Sequence, residues 1–135
     1  MKTSIDIEDD IFTILKGSAL AREVSGKIYK GVNRPSDSKK EDITIAVLAN
    51  NNGEIQNSYV NVNIYVADQQ IGKAYNENKQ RARVLAKMAV ELFDNAGKEH
   101  DFRTTVEEQR SYEADGTGVP EHFINVKIRY KTYNP

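Results

Sequence analysis

The chain of 135 residues has no cysteine, only two histidines and only three prolines. The absence of cysteine excludes disulfides and thiolate metal sites, and it suits a reducing compartment. His100 and His122 stand apart, with no further metal ligands at a suitable spacing, so we expect structural or surface roles for both. The sequence therefore predicts neither a metal site nor a bound cofactor.

Long apolar runs are also missing. No apolar stretch is long enough to span a bilayer, and the first six residues lack the apolar core of a signal peptide. We therefore expect no membrane partner and a cytoplasmic location. The length suits a single domain that occupies residues 1–135.

An excess of charge of either sign is equally absent. Nineteen basic residues nearly balance twenty acidic ones, which leaves a net charge of −1. A protein that holds a nucleic-acid backbone by itself usually carries a clear positive excess. The balance argues against a dedicated or sequence-specific nucleic-acid binder, although it leaves room for a ring through which DNA passes.

The apolar residues that are present follow helical and strand periods. The apolar face of a predicted N-terminal helix consists of Ile7, Ile11, Phe12, Ile14 and Leu15. Residues 31–42 are polar, contain Pro35 and predict an exposed, mobile loop. Residues 43–48 are rich in β-branched side chains and almost continuously apolar, which is typical of a central strand.

The clearest pattern is a strict alternation over residues 59–66. One side carries aliphatic side chains: Val60, Val62, Ile64 and Val66. The other side carries polar and aromatic ones: Tyr59, Asn61, Asn63 and Tyr65. A slip of one residue would expose four β-branched side chains, each worth about 1.5–3 kcal/mol when fully buried, so the register is strongly fixed.

A long helix is predicted from Tyr75 to Ala96, joined to this strand by a link over residues 67–72. Gly97 is expected in the left-handed conformation that ends it. Its apolar stripe consists of Ala82, Leu85, Met88, Ala89, Leu92 and Phe93.

Two strands are predicted after this helix. The first is polar, over residues 102–112, and carries Phe102, Thr104, Val106 and Glu108 on one side. The last alternates over residues 123–130. The pattern predicts an α+β fold, with an antiparallel or mixed sheet of about five strands and both the N-terminal and the long helix on one face.

Candidate chemical motifs are weak. Glu8, Asp9 and Asp10 are adjacent on a helix, so their side chains point in different directions and cannot converge on one cation. Their position is explained better by the favourable interaction of acids with the N-terminal end of the helix dipole. Residues 116–118 are a fragment of a phosphate-binding pattern that no helix follows, and residues 25–27 lack the upstream glycine of a P-loop. We expect no catalytic residue and no enzymatic activity.

Two sets of surface residues are candidates for contacts with partners. Tyrosine gives a large contact area at low entropic cost, and the predicted subunit interface is Tyr59, Asn61, Asn63 and Tyr65. Ordinary cross-strand pairing explains the same residues equally well. The second set is basic and is predicted on the outer side of the long helix: Lys73, Lys79, Arg81, Arg83 and Lys87. These residues face either solvent alone or a pore or partner subunit. Arg34, Lys39 and Lys40 in the predicted loop are a weaker candidate for partner contact.

The order of elements resembles a known family. An N-terminal helix is followed by a small-residue turn that leads into Gly26-Lys27-Ile28-Tyr29, and the middle strand runs into Tyr65-Val66-Ala67-Asp68 before a long helix. This arrangement is similar to the tail-completion (tail-terminator) proteins of tailed bacteriophages and prophages. The charged segment 30–42 departs from the proline-and-apolar entry to the next strand expected of that family.

The resemblance implies a non-enzymatic structural protein of the virion. Such a protein forms a homo-oligomeric ring, commonly a hexamer, that stops growth of the tail tube and joins the tail to the head-side connector. Its implied partners are further copies of itself, the tail-tube protein and the head–tail connector. Its implied location is the bacterial cytoplasm during assembly and the virion afterwards.

Two other functions stay open at this point. One is a small α+β regulatory module that binds a protein or a ligand, for which an apolar pocket between sheet and helix would be the sign. The other is a hydrolase or nuclease, which requires carboxylates from separate elements to converge. Its candidates are Asp101, Glu107, Glu121 and the acids of the first helix.

Overall fold

A computed structural model describes residues 1–31, 33–94, 96–97 and 100–133. The elements in chain order are α1 Ser4–Lys16, α2 Ala19–Glu23, β1 Ile28–Lys30, β2 Ile43–Asn51, β3 Ile55–Ala67, β4 Gln69–Ile71, β5 Ala74–Asn76, α3 Lys79–Asp94, β6 Phe102–Glu113 and β7 Glu121–Tyr133. Five strands form a mixed sheet in the order β1-β2-β3-β7-β6, in which only the β1–β2 pair is parallel. The α+β prediction is confirmed.

The first helix begins at a capping box. The Thr3 hydroxyl accepts a hydrogen bond from the backbone N–H of Asp6, and the Asp6 carboxylate accepts one from the backbone N–H of Thr3. These contacts lower the pKa of Asp6 below its ordinary value. Ile7, Ile11 and Leu15 of the predicted apolar face are fully buried, whereas Phe12 and Ile14 are only partly buried.

The centre of the sheet is the antiparallel ladder between β3 and β7. It runs over thirteen consecutive pairs, from Ile55 opposite Tyr133 to Ala67 opposite Glu121. Even-numbered residues of both strands face the helices, and odd-numbered residues face the other way. The predicted alternation is therefore correct and extends over the whole of both strands.

The core lies between this sheet and the helices. From β3 and β7 it receives Val60, Val62, Ile64, Ile124, Val126, Ile128 and Tyr130, all at most 1% exposed. From α3 it receives Ala82, Leu85, Ala89 and Phe93. Met88 and Leu92, which we expected in the same stripe, are partly buried at its margin.

The predicted start of the long helix at Tyr75 is wrong. Tyr75 pairs with Gln70 in a two-stranded hairpin of β4 and β5, whose turn contains Gly72 at φ 64°. The helix begins only after Asn78, whose side-chain oxygen accepts a hydrogen bond from the N–H of Arg81 at 3.2 Å. Asparagine is a favoured N-cap because it satisfies an amide that the first helical turn leaves unpaired.

The end of this helix agrees closely with the expectation. The last described helical residue is Asp94, and Asn95 lies outside the described residues. Ala96 is in a turn, and Gly97 has φ 91°, the left-handed conformation predicted for it.

The prediction that Glu108 shares a side with Phe102, Thr104 and Val106 is also wrong. An irregularity in β6 between Val106 and Glu108 inserts one extra residue relative to β7. Such a bulge reverses the direction of every side chain beyond it. Glu108, Arg110 and Tyr112 consequently lie on the side of the sheet that is opposite the helices.

A core truncation tests this packing. We expect Ile64→Ala to lower the free energy of unfolding by about 2–5 kcal/mol, because it removes a fully buried side chain from the central strand. The measurement is urea denaturation. Asn61→Ala, on the opposite side of the same strand, is the control and should change the stability by about 0.5 kcal/mol or less. An equal loss in both variants would contradict the assignment of sides.

Candidate partner-binding surfaces

One face of the sheet carries no helix. In the described part of the chain, the buried side chains of α1 and α3 pack against the core side of the sheet, and we call the opposite side the open face. Along β3, β7 and β6 it displays Asn57, Tyr59, Asn61, Asn63 and Tyr65 from β3, Glu121, Phe123, Asn125, Lys127, Arg129, Lys131 and Tyr133 from β7, and Arg103, Thr105, Glu108, Arg110 and Tyr112 from β6.

An aromatic row crosses one end of the open face. Tyr65, Phe123 and Tyr112 are direct cross-strand neighbours, and their ring centroids are 5.5 and 5.4 Å apart. The Arg34 guanidinium lies 3.9 Å from the centroid of the Tyr65 ring. Aromatic pairs at such distances contribute about 0.5–1.5 kcal/mol beyond burial, so the packing of these rings stabilises this end of the face.

The predicted subunit-interface residues all lie on the open face, and all four are half-buried. Each ring already has a neighbour: Lys127 lies 5.4 Å from the Tyr59 ring, and Phe123 lies beside Tyr65. The Asn63 side-chain oxygen accepts a hydrogen bond from Asn125 at 2.8 Å. The structure thus brings the four residues together on one accessible surface whose side chains are pre-positioned.

The predicted basic set is divided by the structure. Lys73 lies in the turn of the β4–β5 hairpin and not on the helix. Lys79, Arg83 and Lys87 are exposed on α3. Arg81 is tied to its own chain, because its guanidinium forms ion pairs of 2.7 Å with both Glu23 and Glu41.

A groove separates α3 from the outer half of β6. It has a volume of about 620 Å³ and is lined by Glu77, Lys79, Ala82, Arg83, Ala86, Lys87, Val90, Glu91, Gln109 and Ser111. Its floor is apolar and its rim is charged. It is open to solvent and therefore differs from the closed apolar pocket that a small-ligand module would show.

The segment predicted as a mobile loop contains the most deeply buried ion pairs of the described residues. The Arg34 side chain is 6% exposed and contacts Asp42 at 2.9 Å and both carboxylate oxygens of Glu121 at 2.9 and 3.1 Å. The carboxylates themselves are 2% and 1% exposed. Burial opposes the charge of Arg34, but its hydrogen bonds to Glu121 and Asp42 raise its pKa.

This Arg34 cluster has further support. Asp42 also accepts hydrogen bonds from the Ser38 hydroxyl at 2.6 Å and from the backbone N–H of Lys27 at 3.0 Å. Most described residues of this loop are exposed, as predicted, but the Arg34 side chain is buried by its ion pairs. The sequence alone gave no signal for it, because the Glu121 partner lies 87 positions away.

A second cluster joins α1 to β6 and β7. The Lys2 ammonium lies 2.8 Å from Asp10 and 2.9 Å from Asp101, and the Tyr130 hydroxyl donates to Asp10 at 2.6 Å. Burial opposes the charge of Lys2, yet these hydrogen bonds raise its pKa. Burial, followed by the bond to Asp10, raises the pKa of Tyr130.

The carboxylates considered for nuclease chemistry are thus engaged in separate places. Asp10 and Asp101 share Lys2, whereas Glu121 is held by Arg34. Among the described residues no group of three or more histidines and carboxylates is placed to hold a metal ion. The sequence-based motifs at residues 116–118 and 25–27 lie in a turn and before β1.

Comparison with models of known protein families gave no match, and comparison with curated proteins gave none either. Within the described part of the chain, no helix has the length and apolar composition needed to cross a membrane.

Removal of the cation tests the Arg34 cluster. We expect Arg34→Leu to lower the free energy of unfolding by about 3–5 kcal/mol, because it leaves two buried carboxylates unpaired. The triple variant Arg34→Leu, Asp42→Asn, Glu121→Gln should recover part of that loss, as judged by urea denaturation. A single variant as stable as the native chain would show that the cluster does not hold the loop.

The Arg81 ion pair predicts a pH dependence. The hydrogen bonds from Arg81 keep the pKa of Glu41 below its ordinary value of 4.5. The pair therefore stabilises the fold fully above that value, and the contribution is lost as the pH falls through the lowered pKa of Glu41. We expect Arg81→Gln to cost about 1 kcal/mol at neutral pH and much less near pH 3, measured by denaturation at each pH. Arg83→Gln, an exposed control on the same helix, should show no such trend.

Proposed function

We propose that this protein is a structural subunit of a tailed bacteriophage or prophage, which ends growth of the tail tube as a homo-oligomeric ring and joins the tail to the head. The resemblance of element order to tail-completion proteins supports this proposal. The single structural observation that carries it is a projecting hairpin with unpartnered apolar side chains. The partners are further copies of the chain, the tail-tube protein and the head–tail connector.

The projecting hairpin consists of β4 and β5. All six of its strand residues are exposed, including Ile71 at 65% and Tyr75 at 51%. Most other apolar side chains are gathered in one core, although Tyr133 and Ile5, among others, are also exposed elsewhere. A short two-stranded hairpin is only marginally stable on its own in water, so this arm is suited to packing against another molecule.

The edges of the sheet favour assembly into a closed ring. The sheet is open, with three-residue β1 at one edge and twelve-residue β6 at the other. Because the two edges differ, any contact that joins an arm or edge of one copy to a different surface of the next is heterologous. Heterologous contacts form rings when the rotation closes.

The α3–β6 groove supports a second function, which is a binding module for a protein segment. Its volume of about 620 Å³ falls in the range of ligand sites, and its apolar floor with a charged rim is typical of peptide docking. This function requires no ring. Assembly therefore separates the two proposals.

The arm provides the decisive variant. We expect the native chain, mixed with tail-tube protein, to form rings in negative-stain images. We expect Ile71→Gln with Tyr75→Gln to abolish them because the apolar contact is lost. Size-exclusion chromatography with light scattering, at several protein concentrations, measures the same loss.

A control double variant, Leu48→Gln with Val84→Gln, removes two other exposed apolar side chains (53% and 43% exposed) and should leave assembly unchanged. Absence of rings from the native chain under all these conditions would overturn the proposed function. If the arm variant still forms rings, the hairpin does not make the subunit contact, but the proposed ring function stands.

A further inference from the structure

We propose that the β7 and β6 part of the open face binds single-stranded nucleic acid without selecting its sequence. Phosphates are held by the cations Arg103, Lys127, Arg129 and Lys131, and bases contact the aromatic row. This inference goes beyond the proposed ring function and does not depend on it.

The first argument is segregation of charge. The whole chain carries −1, but the open face of β3, β7 and β6 displays five basic side chains against the acidic Glu108 and Glu121, and Glu121 is already held by Arg34. The five are Arg103, Arg110, Lys127, Arg129 and Lys131. A basic patch of this kind is the electrostatic footprint of a surface that binds nucleic acid, even where the net charge of the protein is near zero.

The second argument is that these cations lack intramolecular anions. Elsewhere, Lys2, Lys30, Arg34 and Arg81 all form ion pairs at 2.5–2.9 Å. Over the described ranges, no carboxylate pairs with Arg103, Lys127, Arg129 or Lys131, and Arg110 only approaches Glu108 at 3.5 Å. Arg103 donates to the backbone carbonyls of Gly97 and Phe102, and Arg129 donates to the Asn57 side-chain oxygen. Those acceptors are neutral, so the positive charges are left for an external anion.

The third argument is a repulsive pair in the sheet. Arg103 and Lys131 are direct cross-strand partners, and Lys131, Arg129 and Lys127 follow at alternate positions of β7, where Arg129 lies opposite Thr105 and Lys127 lies opposite Glu108. Like charges opposite one another destabilise a sheet. Alternate residues of a strand lie roughly 6.8 Å apart on the same face, so the three β7 cations form a continuous line. An anionic chain laid along that line relieves the repulsion.

The aromatic row favours nucleic acid over an acidic protein. Tyr112 is 40% exposed and stands next to Phe123 and Arg110. At the cationic end, a depression of about 320 Å³ is lined by His100, Phe102, Tyr133, Arg103, Lys131 and Asp101, and the Asp101 carboxylate is paired with Lys2. Aromatic rings beside cations bind bases and phosphates together, whereas lysine is depleted at protein–protein interfaces.

The shape of the surface favours a single strand over a duplex. A duplex is read by an element that enters a groove, and the described open face is a sheet surface without a helix. Unpaired bases can instead spread over such a sheet and contact its aromatic side chains. The amide groups of Asn57, Asn61 and Asn63 on β3 offer neutral hydrogen-bonding partners beside the cations.

Fluorescence anisotropy of labelled oligonucleotides tests the inference. The ligands are oligo-dT and oligo-rU of about 20 nucleotides, the corresponding duplex, and labelled polyglutamate, each titrated with the native chain over a range of salt. We expect both single strands to bind more tightly than the duplex or polyglutamate, with an affinity that falls as salt rises. A preference between the two strands distinguishes DNA from RNA as the source.

The matched variants are Lys127→Gln with Lys131→Gln and, on the exposed side of α3, Lys79→Gln with Lys87→Gln. The first pair should reduce the slope of log affinity against log salt by about 1.4, since each lost phosphate contact is worth about 0.7. The second pair should leave the slope unchanged. Tyr112→Ala should weaken binding roughly 5- to 150-fold with the slope preserved.

Four outcomes would overturn the inference: no binding at about 50 mM salt, tighter binding of duplex or polyglutamate, equal effects of the two lysine pairs, or loss of ring assembly in Lys127→Gln with Lys131→Gln. The last would assign the open face to a subunit contact. Circular dichroism establishes that each variant is folded. Native rings with no oligonucleotide binding would refute this inference alone, whereas binding without rings would refute only the proposed function.

Discussion

The antiparallel pairing of β3 with β7 is the constraint on which the rest of the structure depends. Thirteen consecutive pairs place every even-numbered residue against the helices and every odd-numbered one on the other side. A slip of one position would move four β-branched residues of β3 into solvent, at about 1.5–3 kcal/mol for each. The same register that builds the core from Val62 and Val126 therefore also composes the open face, so the two surfaces cannot change independently.

One consequence is that the register of the strands, and not the overall composition, decides which side of the sheet carries the basic side chains. Alternation places Lys127, Arg129 and Lys131 on one side, and the bulge in β6 adds Arg110 to them. Without the bulge, Gln109 and Ser111 would take that side, and they instead line the groove beside α3. A net charge of −1 conceals this arrangement, which is why a near-neutral composition does not exclude a strongly basic surface.

The sequence predicts what local periodicity controls and misses what distant contacts control. The apolar face of α1, the alternation of β3 and the left-handed Gly97 follow from neighbours a few positions apart, and all three are confirmed. The β4–β5 hairpin was hidden because Tyr75 and Ala74 also suit a helix, and only the cap at Asn78 shows where α3 begins. Of the open face, the sequence predicted as a binding surface only the residues on β3. The β6 residues were missed because their side depends on a bulge, which leaves no periodic signal in the sequence.

The Arg34 cluster links these observations. A polar segment of this kind predicts a mobile loop, yet Arg34 is buried between two carboxylates, and breaking such a pair costs more than its presence contributes. The main effect of the cluster is therefore to hold the segment before β2 in place, with the Arg34 guanidinium over the Tyr65 ring. Two carboxylates surround the single Arg34 cation, so the aromatic end of the open face has no excess of positive charge. At the other end of β7, the cations form no ion pair among the described residues. Positive charge is therefore concentrated at that end, beside Lys131 and Arg103.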